Sequence, residues 1–182
     1  MEQRQYKYIA HSENSNGEEQ SMKQHSEGVA ELMKSFALAN DFAEIYLCCG
    51  LLHDLGKYSK GFQKYIRSNG NKEPHARWGA YMALKSKLIN IAFPVIGHHA
   101  GLPNRDAMFE DLEICAKDGN RWNEIQRALD EDKAIIPICD NSPFDKIGDT
   151  FQKELFIRLL YSALIDADSL DTERHFKKEQ FG

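Results

Sequence analysis

Apolar positions recur every three or four residues along most of the chain, and Gly and Pro fall at the edges of those stretches. That is the pattern of amphipathic helices. Ser21, with Gln24 three residues on, reads as a capping box opening a helix whose inward face carries His25, Val29, Leu32, Met33 and Phe36. A second helix is predicted from about Asp41 to Gly56, with Phe42, Ile45, Cys49, Leu52 and His53 on one side. It is apolar nearly all round, as a central buried helix would be. Ser59 to Arg67 makes a third, stopped by Asn69-Gly70. Pro74, at a first helical position, opens a fourth and puts His75 in its first turn, with Trp78 and Met82 below. Leu88–Ile96 is short, apolar and interrupted by Pro94, and leads into Gly97-His98-His99-Ala100-Gly101-Leu102. Asp106 is expected to cap a helix ending at Gly119, followed by one over about Arg121–Glu131 and a loop over Asp132–Pro143. A last long helix covers Phe144–Leu170, with Phe156, Leu159, Leu160, Ala163, Leu164 and Ala167 as its stripe. No alternating β-branched run is long enough for a sheet, and neither repeat nor linker interrupts the pattern. The expectation is one all-α domain over residues 1–182, with its core at about 10–173.

Composition narrows the function classes. With 42% hydrophobic and 28% charged residues, the chain can bury a real core and is not a disordered one. Its 23 basic against 28 acidic side chains argue against gripping duplex DNA by charge alone, but leave room for a nuclease that meets its strand at a metal. Cys48, Cys49, Cys115 and Cys139 lack metal-finger spacing and are read as reduced thiols of a cytoplasmic protein. No run approaches the roughly 20 apolar residues that span a bilayer, and the N-terminus has no apolar signal core. Gly50 to Gly56-Lys57 imitates a phosphate loop, but the glycines are wrongly spaced and Tyr58 replaces the required Ser or Thr.

The chemistry centres on Leu51-Leu52-His53-Asp54-Leu55-Gly56-Lys57. A buried carboxylate needs a partner or a metal, and adjacent helical side chains diverge too far to serve one packing face. His53 and Asp54 can instead flank a metal pair, His53 on one ion and Asp54 bridging both. His25, His75, His98 and His99 add imidazoles, and Asp166-Ala167-Asp168 adds a carboxylate. Helical phase places Asp166 nearer the apolar stripe. Such a ligand set suits Mn²⁺, Fe²⁺, Ni²⁺ or Co²⁺, with Mg²⁺ and Zn²⁺ admissible. Two ions about 3.5–4 Å apart can acidify a water and hold both oxygens of an in-line phosphoryl displacement. Lys57 could neutralise phosphate charge. His11 is open between a structural and a site-adjacent role, and His175 is expected to be solvated.

At His53-Asp54 the chain resembles the HD superfamily of metal-dependent phosphohydrolases. Ala10-His11-Ser12, the segment from Leu52 through Ser59 with Phe62-Gln63, Gly97 through Leu102, and Asp166 through Glu173 narrow this. They look like the HD nuclease of type I CRISPR systems. The resemblance implies an HD-domain helical bundle with a buried dinuclear metal site. One ion would be held by His25, His53, Asp54 and Asp168, the other by Asp54, His75, His98 and His99. Lys57 stands at the lysine of the family's HD-x-G-K motif. The resemblance also implies cleavage of single-stranded DNA displaced by an RNA-guided surveillance complex, beside a helicase domain or subunit. An HD phosphohydrolase acting on a nucleotide or cyclic nucleotide is the alternative.

Overall fold

The computed structural model describes residues 6–68, 71–135 and 139–177. Helix α1 (Met22–Ser35) opens on the expected capping box, Ser21 accepting from the Gln24 amide and Gln24 accepting from that of Ser21. Met22, His25, Val29, Ala30 and Met33 form its buried face. Phe36 lies beyond the last turn, at the surface.

Helix α2 (Ala43–Leu52) follows a 3₁₀ turn at Asn40–Phe42 and packs on α1. Its predicted end is corrected: the helix stops at Leu52, His53 and Asp54 form a turn, and Leu55–Tyr58 continue as a second 3₁₀ turn. The Asp54 backbone leaves the helical basin at φ −109°, ψ 15°. On a continuing α-helix the two side chains would diverge by about 100°; the tight turn lets both reach one cluster. Ser59 receives the Phe62 amide at 3.2 Å and starts α3 (Lys60–Ser68). The predicted stop at Asn69-Gly70 lies outside the described residues.

Helix α4 (Ala76–Lys85) has His75, not Pro74, at its N-terminal boundary. Helix α5 (Ile89–Gly97) runs through Pro94 and ends directly before His98-His99. Helix α6 (Arg105–Lys117) is capped by Asn104 rather than Asp106, and Gly119 begins α7 (Gly119–Asp132) instead of ending α6, because Asp118 accepts the Arg121 amide. Trp78 and Trp122 stack at 6.3 Å across α4 and α7, as core residues.

The last predicted helix divides into α8 (Ser142–Asp145) and α9 (Thr150–Phe176). Asp149 and Gln152 form a second capping box, which starts α9 later than expected. The helix also ends later, because Asp171 and His175 are buried against the N-terminal segment. There β1 (Ile9–His11) pairs antiparallel with β2 (Gln20–Ser21), a ribbon too short for side-chain alternation to reveal. The architecture is all-α apart from it, and α1, α2, α5 and α9 pack on one another around the site. Among the described residues no helix is long and apolar enough to cross a membrane.

Asp149→Ala removes a cap remote from the histidine cluster. It is expected to cost about 1 kcal/mol and roughly 2–4 °C in Tm without altering metal binding. Calorimetric melts with and without Mn²⁺ would check both parts.

Candidate metal centre

Five parts of the fold deliver the predicted ligands to one place. His25 comes from α1, His53 and Asp54 from the turn after α2, His75 from the start of α4, His98 and His99 from the end of α5, and Asp168 from α9. They form two groups of four that share Asp54: His25, His53, Asp54 and Asp168, and Asp54, His75, His98 and His99, each with its ligand atoms within 4.8 Å of one another. Asp166 is exposed, so α9 turns Asp168, not Asp166, towards the cluster.

In the first group, His25 Nε2 lies 3.2 Å from His53 Nε2, 3.2 Å from Asp54 Oδ2 and 3.4 Å from Asp168 Oδ1. In the second, Asp54 Oδ1 is 3.2 Å from His75 Nε2 and 3.5 Å from His98 Nε2, and His75 Nε2 is 2.8 Å from His99 Nε2. Donors about 2.1 Å from a common ion stand about 3.0–3.4 Å apart, so most of these spacings are those of a coordination shell.

The hydrogen bonds behind the ligands point the same way. His53 Nδ1 donates to the Gly50 carbonyl at 2.7 Å, and His98 Nδ1 to that of Val95 at 2.6 Å. Both bonds fix which nitrogen faces the cluster, Nε2, the atom that offers its lone pair when a metal takes the place of its proton. Asp54 Oδ1 and His98 Nε2 are buried and make no hydrogen bond among the described residues. Unpaired acceptors of this kind are costly unless a cation lies between them. The donor set, imidazole and carboxylate without thiolate, fits the divalent transition metals named above.

Electrostatics shows how strongly the site favours positive charge. Burial works against charge on His25, but Asp168, Asp171 and Asp54 outweigh it and raise the pKa to about 9. Burial opposes charge on His53 too, and Asp54 and Asp168 raise it to about 10. Burial alone would raise the carboxyls; instead Lys57 and the histidines hold Asp54, and His25 and His53 hold Asp168, well below the carboxylate range. His99 differs: burial, then neighbouring His98 and His75, lower it to about 4. It is the exposed ligand, at the open side of the second group.

Lys57 lies against the shared carboxylate. Its Nζ is 2.6 Å from Asp54 Oδ2 and 3.4 Å from the Ala10 carbonyl, and the residue is only 6% exposed. The 3₁₀ turn folds it back onto the shared carboxylate. Phe62 packs beside both Lys57 and His75 and rims the centre. Gln63 bonds the Ile9 amide and carbonyl and the Lys57 carbonyl, tying β1 to the turn. Tyr65 packs on Phe62, and Arg67 is tied to Gln63 and the Tyr6 and Lys7 carbonyls.

His11 is site-adjacent: its ring meets His25 edge-on at 4.7 Å and its Nε2 is 3.2 Å from Thr172 Oγ1. His175, expected in solvent, is buried and lies 2.9 Å from the Ser12 carbonyl. Asp171 was missed as a site residue. Its signal was available: Asp171 and His175 continue the phase of Leu160, Leu164 and Ala167, polar residues on an apolar stripe.

Metal should stabilise such a site. A hundredfold excess of free Mn²⁺ over Kd is expected to add about 2.7 kcal/mol, roughly 5–10 °C in Tm, and chelator should reverse it. An unchanged melt at saturating Mn²⁺ would count against the ligand assignment.

Comparison with curated proteins finds no match. The family model described as HD domain matches residues 22–142, about two thirds of the chain. That span contains His25, His53, Asp54, His75, His98 and His99, and stops short of Asp168. With the His-Asp pair at the join of two ligand groups, the chain belongs to the HD domain family of metal-dependent phosphohydrolases.

Proposed function

We propose that the chain is a metal-dependent nuclease that cleaves single-stranded DNA in type I CRISPR interference. The observation that carries the hydrolytic part is Asp54, whose two oxygens divide between two four-residue ligand groups. When bound, two divalent ions supply an acidified water and a clamp on the phosphoryl oxygens. The chain's own part is positional. Asp54 joins the two groups, Lys57 holds its Oδ2, and the Gly50 and Val95 carbonyls orient His53 and His98. Both ligand groups consist of His and Asp alone, so attack by water suits them better than attack by a side chain.

Support for the polymer substrate comes from the sequence words that look like the CRISPR nuclease, and from where they lie. Ala10-His11-Ser12 meets the closing segment through His11 with Thr172 and Ser12 with His175. Gly97 to Leu102 supplies His98 and His99, and Phe62-Gln63 braces the HD turn. Words spread over the whole chain thus gather around one centre. On this reading the strand is delivered by a helicase domain or subunit and an RNA-guided surveillance complex.

The test is cleavage of circular single-stranded DNA by the Mn²⁺-loaded protein, which is expected to linearise and then degrade it. Turnover of mononucleotides or cyclic nucleotides with the circle left intact would replace the nuclease with a small-molecule phosphohydrolase. Because acidic side chains outnumber basic ones, duplex DNA should bind weakly at physiological salt. Tight duplex binding in a filter assay would contradict the need for a delivering partner.

A further inference from the structure

The inference that follows rests on the two-metal reading. We infer that the two sites are unequal and that Asp171 adds to the difference: the ion held by His25, His53, Asp54 and Asp168 is retained, whereas the one held with His75, His98 and His99 exchanges. Asp171 is the positioning residue for His25.

Three independent features separate the sites. The first has two carboxylates, Asp54 and Asp168; the second has only the shared Asp54. The first is the more enclosed, with His25, His53 and Asp54 buried and Asp168 half-buried, while the second ends at the exposed His99. The third lies behind the ligands. His53 and His98 donate Nδ1 to backbone carbonyls, but His25 donates to a carboxylate, Asp171 Oδ2, at 2.7 Å. A carboxylate partner fixes the tautomer and makes Nε2 a richer donor than a neutral carbonyl does. His75 Nδ1 makes no hydrogen bond among the described residues, so no described hydrogen bond orients that ring from behind.

The fold makes room for the Asp171 carboxylate and holds it. A Cβ at position 28 would stand 2.2 Å from Asp171 Oδ1, so glycine there lets α9 bring the carboxylate against α1. Gln20 Nε2 donates to Oδ2 at 2.8 Å from the β-ribbon. The same oxygen therefore takes two hydrogen bonds from different elements, which fixes it opposite His25.

Manganese titration of the metal-stripped full chain, followed by calorimetry and by the EPR signal of free Mn²⁺, tests this. The wild type should fill in two steps at least about tenfold apart in Kd. Asp171→Asn, isosteric and able to accept the same bond without charge, should weaken the first step about 10–100-fold and leave the second in place. It should also shift the His25 ring ¹⁵N resonances. His99→Ala should weaken the second step alone. Two equal steps in the wild type, or an Asp171→Asn variant that moves neither step or both alike, would overturn the inference. Binding of no Mn²⁺ at all would instead sink the two-metal reading. Should Asp171→Asn fail to fold, Gln20→Ala, which removes the other hydrogen bond to Asp171 Oδ2, takes its place: the first step should weaken more than the second, and equal movement of both would overturn the inference.

Discussion

Asp54→Asn is expected to reduce metal-dependent phosphodiester hydrolysis by roughly a thousandfold or more, the largest single effect in the molecule. The amide keeps the shape of the side chain but supplies one oxygen where the site needs two. Oδ2 belongs with His25, His53 and Lys57, and Oδ1 faces His75 and His98. One ligand group loses its Asp54 oxygen and the other keeps only an uncharged one, so binding and turnover should fail together. The metal-free protein should also lose about 3–5 kcal/mol, because Lys57 and the histidines are left buried without their counter-charge. Activity must therefore be read per folded molecule, with circular dichroism alongside the DNA assay. Wild-type cleavage rates in a folded Asp54→Asn protein would remove Asp54 from the centre of the chemistry.

Gly56→Ala is expected to be nearly as damaging, by a different route. A Cβ at that position would lie 2.1 Å from the His75 carbonyl oxygen and 2.8 Å from its Cα, backbone atoms that cannot swing aside. The 3₁₀ turn and the start of α4 must then part, carrying His75 from Asp54. Overpacking of this kind should cost about 2–4 kcal/mol, a fall in Tm of about 5–15 °C. Where the protein still folds, the second Mn²⁺ step should weaken while the first persists. A native melt and two undisturbed binding steps would show that the contact is not needed. The expected damage also gives the glycine of the HD-x-G-K segment a physical reason: it is the space into which His75 docks.

Much of the helical plan was legible because periodicity and capping are local. Ser21 with Gln24 marked the start of α1 to the residue, and the run Ile45 to Leu52 identified α2 as central. Errors fell where tertiary contacts compete with local signals. The continuous apolar run after Asp41 suggested a helix through to Gly56, but close packing of Gly56 on His75 is served by a tighter turn. Asp106 and Asn104 both qualify as caps by residue type, and only backbone geometry selects Asn104. Pro74 was read two places too far into α4 for the same reason.

The sequence by itself determined that this is a helical protein with five of its seven histidines, one of them in a His-Asp pair, in metal-ligand order, since residue type and spacing are enough to show excess imidazole on inward faces. How those ligands divide was implied by the resemblance alone, and the tertiary structure supplies the physical reason. Asp54 joins two groups because the chain breaks helix at His53, and Asp168 rather than Asp166 enters because α9 is rotated by its whole buried stripe. Lys57 turns back on Asp54, and Asp171 and His175 go inward beneath a two-stranded ribbon. Each of these depends on residues more than a hundred positions away or on the pitch of a single turn. Local pattern carries which residues can bind a metal; the packing of helix against helix carries which of them face the same point.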